Sequence, residues 1–132
     1  LMDIASHKNV TIGSDALFGK PGENIHPRAF GTFPQAYDLY VRNKKIYSKE
    51  EFVYRTTGFT AERFGFKSKG KIADGYDADL VLINFNEFAP KADYKNSNQL
   101  CAGIKSVFVN GKEAYNKNGL TEEFGGKVIL RK

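Results

Sequence analysis

The sequence has only one cysteine, Cys101, among its 132 residues. An intrachain disulfide is therefore impossible, and the chain cannot build a zinc cage from several thiolates of its own. A lone cysteine with no thiol partner most often packs as a small hydrophobic residue. We expect Cys101 to be buried or half-buried.

Long apolar runs are also missing. No stretch approaches the roughly 18 to 20 apolar residues that a bilayer span needs. Residues 1–7 lack the charged, apolar and small-residue regions of a signal peptide. These absences predict a cytoplasmic protein with no membrane partner.

Charge of one sign is nowhere concentrated. The formal net charge is +5, but the basic residues are scattered in short groups such as Lys67, Lys69 and Lys71, with acidic residues interspersed elsewhere. Such groups favour a solvated surface over a continuous basic stripe. The sequence therefore predicts no nucleic-acid partner.

The first part of the chain predicts a strand, a loop and a helix. Residues 9–13 form a short β-branched run that stops at a glycine, which is typical of a buried strand. Glycine and proline recur between Phe18 and Pro34 and indicate a long structured loop without regular helix or strand. Apolar residues at three- and four-residue spacing then predict a helix from about Pro34 to Asn43.

Two further helix starts follow. Ser48 matches the capping box of a helix whose Phe52 and Val53 should face the core. Thr60 is expected to cap a short second helix that stops at Gly65.

The remainder of the sequence predicts short strands. The continuous apolar run 79–83 indicates a strand covered on both faces. Residues 104–109 and 112–115 flank Asn110-Gly111, the strongest short signal for a β-hairpin. A closing strand is expected at residues 127–130. Because helices and strands are segregated along the chain, the predicted fold class is α+β.

At this point the chain resembles a known family. The stretch 12–15, followed by His-Pro-Arg-Ala-Phe-Gly-Thr-Phe-Pro at residues 26–34, resembles the strand and loop that close the barrel of N-acyl-D-amino-acid deacylases. The runs 70–81 and 107–111 are similar to the small β-domain of amidohydrolases generally, including dihydroorotases and hydantoinases. The resemblance implies a hydrolase of linear amide C–N bonds, acting on a small N-acyl-D-amino acid.

The resemblance also implies a domain arrangement. Residues 1–68 would be the last strand, loop and helices of a (β/α)8 barrel, a fold of about 250 residues. Residues 69–132 would be strands of a composite β-sandwich. The other metal ligands are expected upstream of Leu1, so this fragment should be inactive alone. Its uncovered sheet edges should make it self-associate.

Asp15 is the candidate catalytic and metal-binding residue. The resemblance implies that its carboxylate contacts a zinc ion, accepts a proton from the attacking water and passes that proton to the leaving nitrogen. Catalytic groups of barrels lie just past the end of a strand, and Asp15 follows the strand predicted at residues 9–13. Judged by spacing alone, an aspartate after Gly13-Ser14 is more often a turn-forming residue, and the resemblance is what favours the catalytic role.

His26 and Arg28 are the candidate substrate-binding residues. The guanidinium of Arg28 is suited to an anionic group of the substrate, since its planar fork pairs with carboxylates. The alternative is that both side chains only tie down the loop by hydrogen bonds to its backbone. His7 precedes the predicted strand, so His7 and His26 are not expected to share a metal.

Two other functions stay open from the sequence. One is a different amidohydrolase activity, such as a dihydroorotase-like or hydantoinase-like ring opening. The other is a non-catalytic binding or scaffold module that does without a barrel. A protein several hundred residues long with His-x-His near its start would favour the enzyme.

Overall fold

The computed structural model describes residues 2–17 and 23–129, with helices first and strands last. The helical elements are α1 (Met2–Ser6), α2 (Arg28–Tyr37), a π-helix that continues it (Asp38–Asn43), α3 (Lys49–Thr56) and α4 (Gly58–Phe64). The strands are β1 (Leu80–Ile83), β2 (Ile104–Val109), β3 (Lys112–Asn116) and β4 (Gly119–Leu120). They form one antiparallel sheet in sequence order. This arrangement confirms the α+β class.

The core lies where the helices meet the segment that follows β1. The ring of Tyr37 is 5.2 Å from that of Phe52 in α3, 5.0 Å from Phe85 and 5.5 Å from Phe88, measured between centroids. Aromatic pairs at such distances add about 0.5–1.5 kcal/mol each beyond the area they bury. Tyr37, Phe52 and Phe88 are all buried. The two halves of the chain therefore share one hydrophobic core.

The predicted hairpin is confirmed. Asn110 and Gly111 have φ values of 49° and 78°, the left-handed backbone that a type I′ turn requires at both positions. Asp79 ties the turn to β1, because its carboxylate accepts the Asn110 N–H at 2.8 Å. Hydrogen bonds from Lys69 and then from this N–H hold the pKa of Asp79 below its ordinary value. The residue before β1 is thereby tied to the turn that follows β2.

The predicted loop from Phe18 to Pro34 is wrong over its last part, because α2 begins at Arg28. Residues 18–22 lie outside the described residues. Pro34 is accommodated inside α2 and is buried. A proline inside a helix removes one backbone donor and crowds the carbonyl four residues before it, which is why local propensity disfavours a helix here. The helix then widens into a π-helix from Asp38, which periodicity did not indicate.

The helix start at Ser48 is confirmed, since its hydroxyl accepts the Glu51 N–H at 3.0 Å. The stop at Gly65 is confirmed by its φ of 75°. Thr60 is not a cap, because α4 begins at Gly58 and the Thr60 hydroxyl donates to the Arg55 carbonyl instead. Val53 was expected in the core but is 39% exposed, whereas Phe52 is buried as expected.

Replacing Ser48 with alanine is expected to destabilise the protein by about 1 kcal/mol, the usual cost of removing a helix N-cap. Ser48→Asp is the matched control, because aspartate caps helices as well as serine does and should stay within a few tenths of a kcal/mol. Urea unfolding of the three proteins measures both differences. Equal stability of Ser48→Ala and the parent would show that the cap contributes nothing.

Two expected strands are not found. Residues 10–17 are irregular, and residues 127–129 belong to no strand, with Leu130 outside the described residues. A strand forms only where a neighbouring backbone pairs with it, and the described residues supply no partner to either segment. The unpredicted β4 pairs with β3 instead and completes the sheet.

β1 was expected to be covered on both faces, and this expectation is wrong for the described residues. Leu80, Val81 and Leu82 are 40%, 52% and 60% exposed. Only Ile83 packs against the core. A run of exposed apolar residues on an edge strand is a surface that proteins normally cover.

Across residues 2–17 and 23–129, no helix has both the length and the apolar character needed to cross a bilayer.

Candidate active site

The three candidate residues lie together. Asp15 is at the end of the irregular segment 10–17 and has a φ of 48°, a left-handed backbone that aspartate and asparagine tolerate better than most residues. Its Oδ2 is 3.2 Å from Nη2 of Arg28, at the first turn of α2. The Asp15 side chain is 88% exposed. This carboxylate is therefore accessible to solvent while it pairs with Arg28.

His26 forms the link between the loop and α2. Its Nδ1 accepts the backbone N–H of Arg28 at 3.1 Å, and its carbonyl accepts the N–H of Ala29 at 3.1 Å. An Nδ1 that accepts leaves the ring proton on Nε2 in the neutral histidine. The ring thus acts as a cap at the start of the helix that carries Arg28.

Arg28 has unused hydrogen-bonding capacity. Its Nη2 pairs with Asp15, but its Nε is buried and has no hydrogen-bond partner among the described residues. A guanidinium can donate through Nε and one Nη to both oxygens of a carboxylate. Leaving such a buried donor unpaired is costly, so a group that accepted a hydrogen bond from this Nε would be stabilised.

A cavity of about 680 Å³ opens beside these residues. Its wall comes from α1, residues 10–13, α2 and residues 90–94, and it is mainly apolar with a few polar groups. His26 and Arg28 line it, but Asp15 does not. This volume lies within the range of small-molecule sites.

The segment that leads to Asp15 is held by Arg55, a residue that sequence reasoning did not single out. Arg55 is 5% exposed, and its Nη1 donates to the carbonyls of His7 at 2.8 Å and Val10 at 2.9 Å. It also lies 4.6 Å from the ring centroid of Tyr47, whose hydroxyl donates to the Ala5 carbonyl. We call this set of contacts the Arg55 anchor.

Sequence reasoning also did not indicate segment 93–98, which contacts loop 23–28. Asn24 donates to the Tyr94 carbonyl at 3.1 Å and accepts from both the backbone and the hydroxyl of Ser97. Ser97 is 1% exposed. Asparagine and serine in a polar stretch look like ordinary loop residues, so no sequence signal marks this contact between positions 73 residues apart.

The described residues contain no group of three or more His, Cys, Asp or Glu side chains able to hold a metal. The Nδ1 of His7 accepts the backbone N–H of Asn9, a local turn contact. Cys101 is half-buried, as expected, and burial raises the pKa of its thiol. Because a raised pKa disfavours the thiolate, Cys101 is a poor metal ligand or nucleophile.

Comparison with known proteins gives consistent matches. Residues 2–114 match the profile of the amidohydrolase family. The chain is 38% identical to a D-aminoacylase of Alcaligenes xylosoxydans xylosoxydans, over 91% of this chain and 24% of that protein. A solved D-aminoacylase structure superposes with a TM-score of 0.88 and 35% identity, covering 98% of this chain and 27% of its own.

A further solved relative is the N-acyl-D-glutamate deacylase of Bordetella bronchiseptica, in complex with zinc and a phosphonate inhibitor that mimics the tetrahedral intermediate of the reaction. It superposes with a TM-score of 0.78 and 32% identity, covering 88% of this chain and 24% of its own. The chain thus spans about a quarter of the length of the relatives it matches.

Proposed function

The chain belongs to the amidohydrolase family, and on that basis we propose that it is part of a metal-dependent hydrolase that cleaves the amide bond of N-acyl-D-amino acids. The observation that carries the proposal is the arrangement of one exposed carboxylate, Asp15, 3.2 Å from a guanidinium, Arg28, with an unpaired buried donor. Amide hydrolysis needs a base near the attacking water, and an N-acyl amino acid brings a carboxylate that must be bound.

In this proposal Asp15 is the acid–base residue. Its carboxylate accepts a proton from the water that attacks the amide carbon and returns it to the leaving nitrogen when the C–N bond breaks. The side chain of Asp15 is 88% exposed, which leaves room for an acyl group beside it. Arg28 binds the substrate carboxylate, and His26 fixes the helix start from which Arg28 projects.

Zinc is the metal that the family resemblance implies, and its usual role is to polarise the carbonyl and activate the water. Catalytic zinc normally has three protein ligands, whereas the described residues offer only isolated donors. Asp15 fits as one ligand but does not make a site. We therefore place the other ligands in a part of the protein outside this chain.

The domain division is part of the same proposal. Residues 1–68 would complete a (β/α)8 barrel, and residues 69–132 would contribute strands to a β-sandwich closed by the rest of the protein. The exposure of residues Leu80–Leu82 supports this division, because an apolar surface of this kind would be covered by another part of the protein. The same surface supports self-association of the chain when it is produced alone.

The test is an assay of the full-length protein on a panel of N-acetyl-D-amino acids and their L-enantiomers. We expect hydrolysis of the D-substrates that a chelator abolishes and zinc restores, and no turnover by the 132-residue chain with added zinc. Ring opening of dihydroorotate or a hydantoin, without deacylation, would replace the proposal with the other amidohydrolase activity. Turnover by the isolated chain would refute the placement of the missing ligands.

A further inference from the structure

One contact at the candidate site comes from the other half of the chain. The hydroxyl of Tyr94 lies 3.2 Å from Nε2 of His26, and the two rings meet edge to face at a centroid distance of 5.2 Å. Nδ1 of His26 accepts the backbone N–H of Arg28, so the ring proton is on Nε2. Nε2 therefore donates a hydrogen bond to the hydroxyl oxygen of Tyr94. A chain of hydrogen bonds therefore runs from Tyr94 through His26 to the start of α2.

The segment that carries Tyr94 is held firmly against loop 23–28. Besides the Asn24 contacts, Asn98 donates to the Glu23 carbonyl at 2.9 Å. Asp93 closes the segment on itself by accepting the backbone N–H groups of Lys95 and Asn96 at 2.8 and 2.7 Å. Segment 93–98 is thus a preformed turn that clasps the loop, and we call it the clasp.

Tyr94 contributes to the site and little to packing. Its side chain is 74% exposed, so it buries too little surface to support the core. It nonetheless lines the same cavity as His26 and Arg28. An exposed tyrosine held by one side-chain hydrogen bond at the mouth of a cavity is better explained by positioning than by stability.

We propose that Tyr94 is a positioning residue for substrate binding, which acts through His26 to hold the first turn of α2 and hence Arg28. The inference rests on the proposed function for the identity of the bound group, an amino-acid carboxylate. It assigns a role in that site to the clasp, a segment outside the sequence runs that carry the resemblance. Substrate affinity would then depend on residues 93–98 as well as on loop 23–28.

The experiment compares Tyr94→Phe with the parent in the full-length protein. Removing the hydroxyl should raise KM for an N-acetyl-D-amino acid about fivefold, the usual effect of one neutral hydrogen bond, with kcat within about twofold. Hydrogen–deuterium exchange should be faster in the peptide that covers residues 26–30, because the cap on the Arg28 N–H is loosened. Ser97→Ala, which weakens the clasp itself, should change both quantities in the same direction.

The matched control is Tyr54→Phe, because its hydroxyl also contacts a side chain, Glu62, at 3.4 Å, but Tyr54 does not line the cavity. It should leave KM and exchange at residues 26–30 unchanged. Parent-like KM and exchange in Tyr94→Phe would overturn the inference, as would a fall in kcat with constant KM. If the parent lacks deacylase activity, the proposed function fails separately, and the exchange measurement still decides whether Tyr94 holds the start of α2.

Discussion

Asp15→Asn in the full-length protein is expected to lower turnover of an N-acyl-D-amino acid by at least about a hundredfold, the usual contribution of a positioned acid–base group. Asparagine keeps one oxygen and the size of the side chain but cannot accept the proton. Substrate affinity should change much less, because the loss falls on the transition state. Steady-state kinetics on the two proteins measure both quantities.

The fold should survive this substitution for two reasons. The Asp15 side chain is 88% exposed, and asparagine tolerates its φ of 48° as well as aspartate does. Asp74→Asn, at an exposed aspartate elsewhere, is the control and should keep parent activity. A thermal melt of each protein completes the comparison. An Asp15→Asn protein that melts normally and retains most of its turnover would reduce Asp15 to a turn residue.

Arg55→Met is expected to cost about 2–4 kcal/mol of stability in the full-length protein. The substitution removes the charged donor of two part-buried hydrogen bonds, to the carbonyls of His7 and Val10, and a hydrogen bond to a charged group contributes about 1.5–3 kcal/mol. It also removes the cation from the ring of Tyr47. Denaturant unfolding gives the free-energy difference directly.

Arg63→Met is the matched control, since Arg63 is exposed and lies 5.3 Å over the ring of Phe59. It should change stability by less than about 0.5 kcal/mol, as surface substitutions usually do. Arg55→Lys should fall between the two, because an ammonium cannot reproduce the fork of contacts to Glu51 and the two carbonyls. Equal stabilities for Arg55→Met and Arg63→Met would disprove the anchor.

Local signals in the sequence predicted those elements whose causes are local. The Asn110-Gly111 turn, the Ser48 cap and the Gly65 stop each depend on residues within a few positions of one another, and all three are found in the structure. The start of α2 was misplaced because tertiary packing accommodates Pro34 inside a helix, which local propensity disfavours.

The candidate site likewise contains some residues that the local sequence indicates and others that depend on distant contacts. Asp15 and the pair His26 and Arg28 could be named from their own stretches of sequence, and the structure brings them together. Tyr94 and Arg55 could not, because their partners are 68 and up to 48 residues away. No period or motif reports a contact of that range, so only the folded chain reveals it.

The Arg55 anchor also bears on how the chain folds. The hairpin β2–β3 joins neighbours in sequence, so it forms at a small cost in loop entropy. The anchor instead closes loops of 42 to 48 residues, because it joins residues near the start of the chain to Tyr47 and Arg55. Contacts of such separation form only after that entropy has been offset. The segment that leads to Asp15 is therefore held in place by residues far along the chain.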